Sequence, residues 1–152
     1  MVMYNIEEVI KHRKPMRLVD ELISFDEENA CVSVTIDENS EFYQVERQGV
    51  PSYIGIEYMA QAIAAQAGAN ELANGKNIRL GFLLGTRKYK PSINYFDLDT
   101  TLHITVKRLL IDAAGLSVFD CSIVDKAQPE IMLAKAKVNV YQPEDSTEYV
   151  SK

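Results

Sequence analysis

Ser52–Asn74, SYIGIEYMAQAIAAQAGANELAN, is the stretch whose reading decides the fold. Pro51 enters it, Ser52 offers an N-cap hydroxyl, and Gly75 supplies a stop. The pattern predicts one helix of about 22 residues, roughly 33 Å long. Apolar or small residues lie on every side of it: Ile54, Ile56, Met59, Ala60, Ile63, Ala64, Ala67 and Gly68. A helix apolar all round is expected to be buried all round. Only Glu57 is charged between Pro51 and Asn70. A carboxylate on such a helix is costly unless it is paired, protonated or used.

The rest of the chain sets the bounds. At 152 residues, 47% apolar and 25% charged, it has the composition of one soluble globular domain rather than a disordered chain. We expect one domain over residues 1–142 and a polar tail over 143–152. The formal net charge of −6 disfavours nucleic acid as a partner, because phosphate binding needs a basic face. No signal pattern opens the chain, and the Ser52 helix is too rich in Ala, Gly, Gln and Asn for a membrane span. A cytoplasmic location is expected. Cys31 and Cys121 lack metal-ligand spacing and read as reduced, buried thiols. With His12 and His103 the only imidazoles, no metal site is expected. No glycine-rich phosphate loop appears, and no cofactor is implied.

Around the helix the pattern is mostly extended. Asn5–Lys11 suggests a short leading helix, broken before Pro15 within KHRKPMR, where Lys11, Arg13, Lys14 and Arg17 gather about His12. Arg17–Phe25 and Cys31–Ile36 read as a hairpin of strands, the second alternating Val32, Val34 and Ile36 with Cys31, Ser33 and Thr35. Asp37–Val50 is a long polar loop, a length that is often functional. Ile78–Lys90, Thr101–Ile111, Leu116–Val124 and Ile131–Tyr141 follow as strands, with Pro91–Asp99 as a crossing loop. About six antiparallel strands and one long helix make an α+β domain whose sheet curls around the helix. A sheet edge left uncovered predicts dimerisation, with the site near that seam.

Glu57 sits in the first turns of the helix, and Glu57, Gln61, Ala64 and Gly68 fall along one stripe. Unpaired N–H groups around Ser52–Gly55 are placed to hold the carbonyl oxygen of a thioester, and Gly55 has no side chain to obstruct it. Polarising that carbonyl acidifies the adjacent carbon. The alternative is a carboxylate that merely caps the helix.

VPSYIGIEYMAQAIAAQAG, Val50–Gly68, resembles the central-helix motif P-G-V-L-x-x-E-A-M-A-Q of bacterial 3-hydroxyacyl-acyl carrier protein dehydratases. Pro51, Glu57, Met59, Ala60 and Gln61 match it without gaps. HRKPMRLVDEL, His12–Leu22, resembles their H-R-x-P-x-x-L-V-D opening, and Gly81–Lys90 resembles their strand before the loop at Pro91. The resemblance implies the hotdog fold. Within that superfamily the HRKPM, EYMAQ, FLLG and NVYQP blocks look closest to the dehydratase-like subunits encoded in aryl-polyene pigment clusters. The family's catalytic His before the helix falls on Tyr43 here, with Arg47 at its second His, and no His lies between residues 13 and 102.

The resemblance implies a (3R)-hydroxyacyl-carrier protein dehydratase with Glu57 as the acid. His12 then stands in as base, or Glu57 is itself the base with Tyr43 or water as acid. Tyr43, Pro51, Ser52, Tyr53, Gly55 and Gln61 are the expected substrate-binding residues. Lys11, Arg13, Lys14, Arg17, Arg87, Lys88 and Lys90 are the expected rim for an acidic carrier protein. The other readings are an inactive hotdog subunit paired with a sister dehydratase or carrier protein, and a thioesterase on the same fold. The subunit is expected in a homodimer or a heterodimer.

Overall fold

The computed structural model describes residues 3–78 and 82–142. Helix α1 (Ile6–Val9) is followed by strands β1 (Glu21–Phe25), β2 (Asn29–Thr35) and β3 (Gly49–Pro51). A 3-10 turn over Ser52–Ile54 leads into helix α2 (Gly55–Ala73). Then come β4 (Phe82–Pro91), β5 (Tyr95–Asp97), β6 (Thr101–Ile111), β7 (Leu116–Asp125) and β8 (Gln128–Tyr141). Six strands form one antiparallel sheet in the order β1-β2-β6-β7-β8-β4, and β3 pairs with β5 apart from it. This is the hotdog arrangement expected from the sequence: a curved sheet around one long helix.

The alternation that marked the strands sets the packing. Leu102, Ile104 and Val106 of β6 and Val32 of β2 are wholly buried, as is Met59 of α2. Successive strand side chains point to opposite faces, so one face of the sheet is apolar and lies under the helix. α1 crosses α2 at Gly68, where a Cβ would come within 1.8 Å of the Val9 carbonyl oxygen. Only glycine permits that approach.

Four sequence expectations are corrected. Ser52 does not cap the helix: its hydroxyl makes no capping bond, and its N–H donates to Asn94 O at 2.8 Å. Residues 17–20 are not part of β1, because the Leu18 and Val19 N–H groups turn to the side chain of Gln61 instead of a strand partner. The loop before the helix and the crossing loop after β4 lead into or hold three-residue strands, paired through Val50 and Phe96. Nor is α2 buried all round. Ile56, Glu57, Ala60, Ala64, Ala67 and Asn70 are only half-buried. At its far end Gly75 takes φ +71°, as a helix-stopping glycine should. Gly81 and the 143–152 tail lie outside the described residues.

Candidate active site

The half-buried stripe of α2 has space in front of it. A cavity of about 310 Å³ runs along the helix, lined by Glu57, Ala60, Ile63, Ala64, Ala67 and Asn70, with His12 in its wall. The opposite wall comes from the ends of β6, β7 and β8, including Arg108, Ser117, Phe119 and Val140. From Glu57 to Glu71 the helix rises about 21 Å. The alanines make the space: at these positions larger side chains would fill it. Glu57 and His12, 45 positions apart in the sequence, line one cavity, and the His12 loop is fastened to α2.

That fastening is Gln61. Its side chain has no exposure. Its Oε1 accepts from Leu18 N at 2.8 Å and Val19 N at 3.3 Å. Its Nε2 donates to Met16 O at 2.8 Å and to Glu57 Oε1 at 3.0 Å. One amide therefore orients the carboxylate and pins residues 16–19. Gln61, expected to bind substrate, does not line the cavity, and its four hydrogen bonds all go to the chain itself.

The His12 loop has a second clamp. The Arg13 guanidinium donates to Ile10 O (2.9 Å), His12 O (2.8 Å) and Glu7 O (2.9 Å). His12 is half-buried, and its Nδ1 is buried without a hydrogen-bond partner among the described residues. A buried imidazole nitrogen beside a cavity and left unpaired is uncommon, because desolvation costs free energy that a bond normally offsets.

The other expected site residues separate. Gly55 is covered, not open: a Cβ there would meet the Tyr89 hydroxyl at 2.3 Å, Ile123 at 3.0 Å and Phe96 at 3.2 Å. Tyr89 donates its hydroxyl proton to Ser52 O. Burial pushes the Tyr89 phenol up to about 12. Pro51 and Ser52 are buried, Tyr53 is 65% exposed, and Tyr43 packs against the core without lining the cavity. Among the rim residues, Lys11, Lys14, Lys88 and Lys90 are exposed. Arg17 is turned inward, its side chain 13% exposed, with Nη1 on Val19 O at 2.7 Å and Nε 3.1 Å from Glu7 Oε2. Lys88 and Lys90 belong to the far edge strand β4, and the Arg87 side chain lies outside the described set. Arg108, Ser117 and Phe119 escaped the sequence reading. Alternation along β6 and β7 marks inward positions but not where the helix stands clear of them.

Among the described residues no cluster of three or more acidic, His or Cys side chains is placed to hold a metal ion. No helix there is long and apolar enough to cross a membrane.

Residues 4–151 match the family model described as ApeP-like, ApeP dehydratase. The chain belongs to the ApeP-like dehydratase family. A chain of the dehydratase heterocomplex ApeI:P from Xenorhabdus doucetiae is similar throughout, at 25% identity and a TM-score of 0.87. That likeness covers 99% of this chain and 97% of the other. The PaaI protein of the Escherichia coli phenylacetic acid degradation operon shares the fold at 17% identity and TM-score 0.60, over 79% of this chain and 80% of its own. A hypothetical thioesterase with coenzyme A from Streptococcus pneumoniae TIGR4 does so at 11% identity and TM-score 0.62, over 80% and 84%. No curated protein matches the chain significantly. This ApeP-like chain is thus a dehydratase-family member of hotdog architecture.

Proposed function

We propose that the ApeP-like chain removes water from a (3R)-hydroxyacyl chain held as a thioester on an acyl carrier protein, in aryl-polyene synthesis. The observation that carries this is that Glu57 shares one cavity with His12, whose Nδ1 is buried without a hydrogen-bond partner among the described residues. In the reaction His12 takes the proton from C2. The C–O bond at C3 breaks as Glu57 donates a proton to the departing hydroxyl. C2 and C3 become doubly bonded, and water leaves. Gln61 holds Glu57 for that transfer. The apolar stretch from Ala60 to Ala67 takes the acyl chain, and exposed Lys11 and Lys14 beside the His12 loop attract the acidic carrier.

Two observations favour a second reading, in which the chain is the silent partner of a related hotdog subunit. Tyr43 stands where the family's base is expected, away from the cavity, and the similar Xenorhabdus chain belongs to a heterocomplex. The outer edge of β4 has no strand partner among the described residues and is available for such pairing.

One experiment separates the readings. A 3-hydroxyacyl-carrier protein is incubated with the chain, alone and with its partner subunit, and the products are read by mass spectrometry. Enoyl product that falls at least about 100-fold in both Glu57→Gln and His12→Ala supports catalysis here. Full activity in both variants assigns the chemistry to the partner. Free acid in place of enoyl product would make it a thioesterase.

A further inference from the structure

The outer face of the sheet, away from α2 and its cavity, carries charge of the wrong sign for this protein. In register across three strands, Lys107 of β6 lies opposite Asp120 of β7, which lies opposite Lys137 of β8. In the next row Thr105, Ser122, Lys135 and Lys90 of β4 face one another in turn. Directly opposed residues share a face, so Lys135 and Lys90 stand side by side on adjacent strands. All four lysines are exposed, and Lys88 follows in the β4 irregularity. Like charges directly opposite one another destabilise a sheet. Among the described residues the ion pairs are Arg13–Glu7 and Arg17–Glu7. Asp120 therefore holds none of these lysines within 4 Å. A chain of net charge −6 has gathered four exposed lysines on the outer face of the sheet, with Asp120 the carboxylate in register among them.

We propose that this face docks an acidic helix of a protein partner, separate from the carrier that delivers substrate. Spacing favours a helix: alternate strand residues repeat about every 6.7 Å, and carboxylates at i and i+4 of a helix repeat about every 6 Å. Position separates it from substrate delivery, because the sheet stands between this face and the cavity. A nucleic acid duplex, with about one charge per 1.7 Å against one per about 6 Å on such a helix, would meet the stronger repulsion from the rest of an acidic chain, including exposed Asp37, Glu38 and Glu41. This inference is independent of whether Glu57 is catalytic.

The test uses the full chain and a labelled 20-residue peptide of Glu-Ala-Ala-Ala repeats, with a 20-base-pair DNA duplex as comparator. Fluorescence anisotropy at about 20 mM salt should show peptide binding that weakens steeply by about 300 mM. The double variant Lys135→Glu/Lys137→Glu should weaken it at least about 10-fold, and Lys11→Glu/Lys14→Glu less than about 2-fold. Lys135→Gln should weaken binding while raising the melting temperature by about 1–3 °C, because an opposed like-charge pair is removed. Absent peptide binding, equal loss in the two double variants, tighter binding of DNA, or a lower melting temperature in Lys135→Gln would each overturn the proposal.

Discussion

Replacing Gln61 by Met keeps the volume and removes all four hydrogen bonds of a fully buried side chain. The Val19 N–H is left without an acceptor in a residue with no exposure, and the half-buried Leu18 N–H is left with it. Each such orphan costs about 1–3 kcal/mol when water cannot replace the partner. Met16 O loses a donor too, but Met16 is 69% exposed, so water takes that place at little cost. The sum is about 2–6 kcal/mol, a large share of the roughly 5–15 kcal/mol that stabilises a typical domain. For about 150 residues that is a drop of about 5–15 °C in melting temperature. Calorimetry on Gln61→Met should show it, with unchanged far-ultraviolet circular dichroism below the transition. Gln61→Glu sharpens the test. It keeps an acceptor for Leu18 and Val19 but turns a negative oxygen toward Met16 O and Glu57. Its melting temperature should recover as acid protonates the introduced carboxylate. Melting of Gln61→Met within about 2 °C of the parent would refute the claim that this amide fastens the His12 loop to α2.

Other outcomes follow from single contacts. Gly68→Ala sets a methyl against the Val9 carbonyl; it should displace α1 and cost about 1–3 kcal/mol, read by urea unfolding and by faster proteolysis near Ile10. Ala64→Leu places a branched side chain in the cavity; turnover of long acyl substrates should fall more than that of short ones, with little change in melting. The Tyr89 phenol has a folded value of about 12 against 10.0 for the unfolded chain, so the folded form holds its proton more tightly. Its contribution is complete below pH 10 and is lost as pH rises from about 10 to about 12. Tyr89→Phe should flatten the alkaline fall in stability; an unchanged slope would disprove the assignment.

The fold was legible where one element had a strong period and marked ends. Alternation in Leu102, Ile104 and Val106 placed β6 at Thr101–Ile111, and Gly75 ended the helix where expected. β3 and β5 were not legible, since three residues are too few to alternate and their pairing joins positions 44 to 48 residues apart. Glu57 and His12 could be picked out as candidates because a charge on an apolar helix and a histidine in a basic turn are both anomalies. The roles of their neighbours needed three dimensions. Glu57, Gln61, Ala64 and Gly68 look like one stripe, but the structure divides it. Glu57 and Ala64 face the cavity, Gln61 faces residues 16–19, and Gly68 lies under α1. A helical stripe is wide enough to meet three surroundings at once.

Strand β1 is tied to α2 beyond both of its ends. Gln61 takes residues 16–19, while Gln66 Nε2 takes Asp26 O at 3.1 Å and Glu27 O at 2.9 Å, and Asn70 Nδ2 takes Asp26 O at 2.9 Å. Helix and strand are thereby braced into a single lever. Breathing of the enclosed volume must come from the opposite bank, where the ends of β6, β7 and β8 meet the helix across open space. Whatever enters at full length does so by flexing that bank, so amide exchange should quicken there first and stay slow along the brace.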